Sequence, residues 1–129
     1  MGWDVYPPGL TQILERVHGD YAFDALYITE CGAAFGSEAE TAEAVADADR
    51  LDYLHRHFAA THDAIAAGVP VGGFFVWSLL DNFEWAEGYT KRFGIVHVDF
   101  DTLERTPKDS SKFYADVIAA NAVPRPTTK

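Results

Sequence analysis

The architecture follows from two apolar segments, ALYIT at residues 25–29 and VGGFFVWS at residues 71–78. Neither segment alternates apolar with polar residues, which is typical of parallel strands covered on both faces. Between them, residues 47–67 carry apolar side chains at helical spacing, with Asp47 as the expected N-cap. A strand, a helix and a strand in this order predict a right-handed parallel crossover in an α/β protein.

Shorter elements flank this unit. The pattern predicts a helix from Leu10 to Gly19, a loop at residues 35–46, a short strand at residues 95–100, a last helix from Asp109 or Ser110 and a frayed tail at residues 122–129. Two parallel strands leave unpaired edges, so we expect another polypeptide or further copies of this chain to cover them. One copy, with 129 residues, is too short for a closed eight-stranded barrel of about 250 residues.

The composition narrows the classes of partner. The chain has 20 Asp plus Glu against 10 Lys plus Arg, which gives a formal net charge of −10. Phosphate contacts need Lys and Arg, so this balance argues against nucleic acid and anionic membrane as partners. The longest apolar stretch, residues 69–80, is interrupted by Pro70 and is too short to span a bilayer.

Cys31 is the only cysteine, which excludes an internal disulfide and favours a reducing, cytoplasmic location.

Carboxylate and aromatic side chains follow both predicted strands. Glu30 comes directly after the first strand, and Trp77, Glu84 and Trp85 lie at or just beyond the end of the second. Functional groups of an α/β barrel sit at the C-terminal ends of its strands. Indole faces stack on the C–H surface of a sugar and carboxylates accept its hydroxyl hydrogen bonds, so the set suits sugar chemistry. On spacing alone, the alternative is that both tryptophans are core residues and Glu30 caps a loop.

Two longer motifs lie at these strand ends, YITECGAA at residues 27–34 and FVWSLLDNFEW at residues 75–85. The first resembles the nucleophile motif of glycoside hydrolase family 1, the β-glucosidase family, in which Thr-Glu-Asn-Gly follows an apolar strand. The second is similar to that family's C-terminal signature, and the likeness continues through residues 88–95 and 105–110. The resemblance implies that residues 1–129 form the C-terminal portion of a (β/α)8 barrel, with about two parallel strands and three helices, incomplete on its own.

The resemblance also implies a role for five residues. Glu30 would be the catalytic nucleophile, which forms a covalent glycosyl-enzyme. Glu84 would accept hydrogen bonds from sugar hydroxyls remote from the anomeric carbon, and Trp85 would donate one to another hydroxyl. Trp77 would form the aromatic floor of the site, and Phe93 would line the same pocket. The family chemistry implies no metal and no organic cofactor.

The sequence departs from the family pattern in two places. Cys31 stands where the family has Asn, so Glu30 loses an amide neighbour, and a reactive Cys31 thiol is an alternative to an inert one. A retaining glycosidase also needs a second carboxyl group, about 5 to 5.5 Å from the nucleophile. In the family that group belongs to an Asn-Glu-Pro motif, which this sequence lacks. Glu84 and Glu87 are poor substitutes, since the resemblance assigns Glu84 to hydroxyl binding.

The histidines do not form a recognisable metal motif. His55, His57 and His62 lie on one predicted helix, but no two of them have the i, i+4 spacing of a helical zinc clamp. A structural or solvated role is therefore expected for these three side chains.

These observations predict the C-terminal segment of a retaining β-glycosidase that hydrolyses terminal β-D-glucosyl residues by double displacement. Its expected partners are a β-glucoside or related sugar and the N-terminal part of the barrel, which would supply the acid/base group. The isolated segment is expected to be inactive. The alternative is a non-catalytic partial barrel that assembles with further copies of itself and binds sugar weakly.

Overall fold

The computed structural model describes residues 1–35 and 45–124. In chain order the elements are α1 (Pro8–Tyr21), β1 (Leu26–Cys31), α2 (Ala48–Ala66), β2 (Val71–Val76), a 3₁₀ helix (Trp85–Glu87), β3 (Val96–Val98), β4 (Arg105–Pro107) and α3 (Asp109–Ala120). The three predicted helices and the strands predicted at residues 25–29, 71–78 and 95–100 are confirmed, with bounds that differ by a few residues.

The two apolar strands pair in parallel. Ile28 lies opposite Phe74 and Cys31 lies opposite Val76. Helix α2 connects the end of β1 to the start of β2, which confirms the predicted strand, helix and strand unit. Because parallel strands run in the same direction, the C-terminal ends of β1 and β2 meet at one edge of the sheet.

Helices cover one face of this pair. Two buried apolar clusters form the core, the first of Leu14, Ile28, Ala64 and Val69 and the second of Leu54, Phe58 and Ile95. Phe74 of β2 packs against both clusters and meets the ring of Phe58 edge to face, with 4.9 Å between ring centroids. The core therefore lies between the sheet and α1, α2 and α3.

The opposite face of the parallel pair is open in this chain. Tyr27 of β1 is 59% exposed and Phe75 of β2 is 56% exposed. The prediction that both strands are covered on both faces is therefore wrong for this chain alone, since the described helices pack against the other face. Both strands have the apolar composition that is typical of strands in the middle of a larger sheet. This is expected of a partial α/β barrel.

A second, antiparallel pair of strands follows the parallel pair. Val96, His97 and Val98 of β3 lie opposite Pro107, Thr106 and Arg105 of β4. The sequence predicts only the first of these strands, because Arg105, Thr106 and Pro107 of β4 contain no run of strand-forming apolar residues. Val96 also bridges to Leu80 in parallel, which joins this hairpin to the chain just beyond β2.

Asp47 is the N-cap residue of α2, as predicted, but its side chain caps a different helix, α3. Its carboxylate accepts hydrogen bonds from the backbone N–H of Ser110 at 2.9 Å and from the Ser110 hydroxyl at 2.6 Å. Ser110 lies in the first turn of α3, where unpaired N–H groups favour a negative charge. The prediction that Asp47 is the N-cap residue of α2 is confirmed, but its side chain makes no capping hydrogen bond to α2 and instead links the start of α2 to the start of α3.

Two predicted segments lie mostly outside the described residues. Most of the loop predicted at residues 35–46 and most of the tail predicted at residues 122–129 lie there. Where the tail is described, the His55 Nε2 atom lies 2.8 Å from the carbonyl oxygen of Pro124. Within residues 1–35 and 45–124, every helix is too short or too polar to cross a membrane.

Candidate active site

The C-terminal ends of β1 and β2 approach each other closely. The backbone N–H of Trp77 donates to the carbonyl of Cys31 at 3.0 Å. A Cβ atom on Gly32 would lie 1.8 Å from the Trp77 carbonyl oxygen, so only glycine fits at this position. The next peptide bond, between Trp77 and Ser78, is cis. The Ser78 N–H donates to the carbonyl of Phe93 at 3.1 Å, which brings a third segment to the same edge.

A cleft of about 300 Å³ lies at this edge. It is lined by Trp3, Glu30, Gly32, Trp77, Glu84, Trp85 and Phe93. The structure thus brings together all five residues that the family resemblance assigns to the site. Their chemical roles are a separate question, since proximity alone does not assign them.

Trp3 and Gly32 are cleft residues that the sequence does not single out. The ring of Trp3 packs against that of Phe93, with 6.1 Å between centroids. Trp3 is one of only three tryptophans in the chain, which was the available signal. Its place before α1 gives no indication that it meets residues following β1 and β2.

Glu30 presents an open carboxylate to the cleft. Its side chain is exposed, and within the described ranges it has no hydrogen bond or ion pair. Glu30 is therefore not sealed in apolar packing and is available to a ligand or a reacting carbon atom. Phe93 is only 2% exposed and closes the bottom of the cleft, whereas Trp77 is 39% exposed and Trp85 82% exposed.

Glu84 is half-buried and is held by its neighbours. The Asn82 Nδ2 atom donates to Glu84 Oε2 at 3.3 Å. The Ser78 hydroxyl lies 3.0 Å from Asn82 Oδ1 and 2.7 Å from the carbonyl oxygen of Leu80, and these two acceptors share its one proton. The Glu84 backbone N–H donates to the carbonyl of Gly88 at 2.7 Å, which fixes the chain on either side of Trp85. The two carboxylates of the cleft therefore differ, since among the described residues Glu84 has a hydrogen-bond partner and Glu30 has none.

Cys31, next to Glu30, lies against α2. Its Sγ atom is 3.7 Å from the hydroxyl oxygen of Tyr53, and that hydroxyl also donates to the carbonyl of Gly32 at 3.2 Å. Burial raises the pKa of the Cys31 thiol, and burial likewise raises the pKa of Tyr53. The thiol is therefore protonated at neutral pH, which favours the inert alternative over a reactive one.

A buried ion cluster supports the loop that carries Phe93. Asp81 is 5% exposed, and its carboxylate accepts from Lys108 Nζ at 3.1 Å and from Arg92 at 3.0 Å. It also accepts from the backbone N–H of Gly94 at 3.0 Å and of Val98 at 3.3 Å. Burial lowers the pKa of Lys108. These groups are saturated with partners, so we assign them to holding the loop.

Arg50 of α2 reaches the same region from the helical side. It is 2% exposed and donates to the carbonyl oxygens of Ala33 at 2.7 Å, Arg92 at 2.9 Å and Phe93 at 3.2 Å. One buried side chain thereby ties the segment after β1 to the segment that lines the cleft. Within the described ranges, no group of three or more His, Cys, Asp or Glu side chains is arranged to hold a metal ion.

Comparison with known proteins gives the family. Residues 1–123 match the family model described as glycosyl hydrolase family 1. β-Glucosidase A of Thermotoga maritima is 50% identical over 123 residues, which are 95% of this chain and 28% of that protein. β-Glucosidase A of Acetivibrio thermocellus is 49% identical over 121 residues, which are 94% of this chain and 27% of that protein.

Solved structures give the same result. The Thermotoga maritima β-glucosidase in complex with castanospermine superposes with a TM-score of 0.91 at 49% identity, over 97% of this chain and 28% of that one. The chain therefore spans about 28% of the length of the curated relative it matches. With a family match over residues 1–123, the chain belongs to glycosyl hydrolase family 1.

Proposed function

We propose that this chain supplies the nucleophile and about half of the sugar site of a retaining β-glucosidase. The observation that carries the proposal is the single cleft lined by Glu30, Trp77, Glu84, Trp85 and Phe93. An exposed carboxylate that has no partner among residues 1–35 and 45–124 lies there beside two accessible indoles. Apolar rings and converging carboxylates are what a sugar ring with several hydroxyls requires.

The proposed reaction is a double displacement. Glu30 attacks the anomeric carbon, and a covalent glycosyl-enzyme forms as the bond to the leaving oxygen breaks. A carboxylic acid outside this chain protonates that oxygen. The same group, now a carboxylate, removes a proton from water, which attacks the anomeric carbon and releases the sugar with its configuration retained.

The remaining residues bind the sugar. The carboxylate of Glu84 accepts hydrogen bonds from hydroxyls far from the anomeric carbon, and the indole N–H of Trp85 donates to another. The ring of Trp77, 39% exposed, offers a face on which the sugar stacks. The names of the relatives as β-glucosidases support a terminal β-D-glucosyl group as substrate. A cytoplasmic location, which the single cysteine favours, stays a prediction.

The partner that we propose is the rest of the barrel. Tyr27 and Phe75 on the open sheet face are 59% and 56% exposed. Fully burying an exposed apolar side chain is favourable by about 1.5 to 3 kcal/mol, so covering the exposed parts of these two contributes about 1 to 2 kcal/mol each. The chain spans about 28% of its relatives, so N-terminal barrel strands are the natural cover.

Trapping the covalent intermediate tests the proposed function. We would join the full 129-residue chain to the part of the Thermotoga maritima β-glucosidase A that its match leaves out, and call the product the completed barrel. An activated 2-fluoroglucoside has a leaving group that departs without acid help, so only a nucleophile is needed. We expect intact-mass analysis to show one added 2-fluoroglucosyl group, mapped to Glu30 by peptide sequencing.

Two variants control this experiment. Glu30→Gln keeps the size of the side chain but removes the nucleophile, so it should not be labelled. Glu15→Gln, on the exposed side of α1, should be labelled like the unsubstituted protein. A folded completed barrel that gains no label, or gains it elsewhere, would contradict the assignment of Glu30.

A non-catalytic, self-assembling partial barrel is the second candidate, and the open sheet face is the observation that favours it. Such a chain would form stable oligomers through that face and bind sugar weakly without being labelled. Native mass spectrometry of the 129-residue chain separates the possibilities. The second candidate predicts oligomers of this chain alone, whereas the proposed function predicts a complex with co-purifying barrel strands. A strictly monomeric, stable species would contradict both, since the exposed side chains and strand edges would then need no cover.

A further inference from the structure

We infer that Asn82 is a positioning residue that sets the sugar specificity of Glu84, an inference that rests on the proposed function. Asn82 lies in the loop after β2 and is not among the cleft-lining residues. Its side chain nevertheless joins a buried hydroxyl to the cleft carboxylate. It can therefore act on a bound sugar only through Glu84.

The contacts fix which way the Asn82 amide points. Nδ2 lies 3.3 Å from Glu84 Oε2 and 3.2 Å from the carbonyl oxygen of Phe83, both of which only accept hydrogen bonds. Oδ1 faces the Ser78 hydroxyl at 3.0 Å. The reversed amide would turn its oxygen toward two oxygen atoms and its NH₂ group toward the hydroxyl. Only the observed orientation gives both amide NH bonds an acceptor.

The anchor of this chain of hydrogen bonds is rigid. Ser78 is 7% exposed, and its backbone N–H and carbonyl are bonded to Phe93 and Ile95. Its hydroxyl also lies 2.7 Å from the carbonyl oxygen of Leu80. Asn82 is therefore held from the core side and transmits that position to Glu84.

The consequence for Glu84 is that its two oxygens are not equivalent. Oε2 already accepts from Asn82, whereas Oε1 has no donor from residues 1–35 and 45–124. With its side-chain rotation fixed in this way, Glu84 presents one free oxygen in one direction. A carboxylate fixed like this discriminates between sugars that have a hydroxyl at the matching place and sugars that lack it.

The test compares substrates that differ by one hydroxyl, in the completed barrel. The probes are para-nitrophenyl β-glucoside and two deoxy analogues of it. Each analogue lacks one of the two hydroxyls that are farthest from the anomeric carbon. The readout is the ratio of kcat/KM for the glucoside to that for each analogue. In Asn82→Ala we expect the larger of these ratios to fall about tenfold, because the hydrogen bond to a fixed carboxylate is weakened. Asn82→Asp, which puts a second carboxylate beside Glu84, should lower it further.

Two further variants separate positioning from mere structural support. Ser78→Ala removes the anchoring hydroxyl but keeps the amide, and should reduce the ratio less than Asn82→Ala does. Gln12→Ala removes a side-chain amide on the exposed surface of α1 and should leave the ratio unchanged. A purely structural role for Asn82 would lower kcat/KM for all substrates in proportion, which leaves the ratio unchanged and overturns this inference.

Failure of the inference is distinguishable from failure of the proposed function. If the unsubstituted completed barrel hydrolyses the glucoside and Asn82→Ala keeps its selectivity, the inference is wrong and the proposed function stands. If the unsubstituted completed barrel neither hydrolyses the glucoside nor becomes labelled on Glu30, both are wrong.

Discussion

Asp81 and Glu84 are carboxylates in the same loop, yet their surroundings are opposite. The buried ion cluster around Asp81 offers its carboxylate two cationic side chains and two backbone N–H groups. In the cleft, Glu84 has one amide partner and Glu30 has none among the described residues. A carboxylate whose hydrogen bonds are all made inside the chain serves the fold. A carboxylate that is left open can serve a ligand.

The same contrast separates the two faces of the sheet. The helix-covered face buries Ile28 and packs Phe74 against both clusters, whereas the open face exposes Tyr27 and Phe75. The structure is therefore packed on the face that the helices cover and open on the opposite face. Substitutions in the ion cluster should change stability, and substitutions in the cleft should change sugar chemistry.

Asp81→Ala should have the largest effect on stability. Removing this carboxylate leaves Lys108 and the Arg92 guanidinium without their buried counter-charge, which costs about 3 to 5 kcal/mol. The measurement is the free energy of unfolding of the completed barrel in urea. Asp52→Ala is the matched control, because Asp52 forms an exposed ion pair with Arg56 on α2. That change should cost no more than about 1 kcal/mol, and equal losses for the two variants would contradict the contrast.

Trp85→Ala should leave stability unchanged and weaken sugar binding. The indole is 82% exposed, so truncating it exposes little that was buried. Loss of its N–H donor to a sugar hydroxyl should lower kcat/KM for a β-glucoside about tenfold. Leu103→Ala is the control, since Leu103 is also exposed, at 58%, and also has a positive φ, but lies in the β3–β4 hairpin. A Trp85→Ala protein that unfolds more easily but keeps its kcat/KM would reverse our assignment.

Cys31 lies between the two regions and should behave as part of the fold. Burial raises the pKa of its thiol, so little reactive thiolate exists at neutral pH. Alkylation by iodoacetamide should be about tenfold slower, or more, in the folded chain than in the urea-unfolded chain. Equal rates would mean that the thiol is open to the cleft and available for chemistry.

The smallest expected effect is a loss of stability in mild acid through His57. Burial lowers the pKa of His57 below its ordinary value of 6.5, so the folded state holds the neutral ring. The unfolded state therefore binds a proton first as the pH falls, and stability is full above pH 6.5 and declines below it. His57→Gln should flatten this decline in unfolding measurements across that range. His62→Gln, whose side chain is 67% exposed, should leave the slope unchanged.

Local patterns were enough to predict the elements that carry the site. The unbroken apolar runs of β1 and β2 and the helical period of α2 each lie within one strand or a few turns, so they can be read from the sequence. The position of Glu30 at the end of β1 follows directly. Because parallel strands end at the same edge, the meeting of Glu30 with Trp77 follows as well.

Contacts between distant residues could not be predicted in this way. Asp47 caps α3 through Ser110, 63 residues away along the chain, although its own sequence neighbours suit a cap for α2. Lys108 pairs with Asp81 across 27 residues, and Trp3 reaches Phe93 from before the first helix. The pairing of β3 with β4 involves residues 105–107, which contain no run of strand-forming apolar residues. Each of these depends on the folded arrangement rather than on local preference.

The most direct test of the central claim, that an open carboxylate at the end of β1 breaks the glycosidic bond, is a crystal structure of the completed barrel after reaction with the activated 2-fluoroglucoside. We predict a covalent bond from the anomeric carbon to a carboxylate oxygen of Glu30. The far hydroxyls of the sugar should lie within hydrogen-bonding distance of Glu84 and Trp85. A sugar bonded to another residue, or bound in the cleft with its anomeric carbon turned away from an unmodified Glu30, would contradict the account.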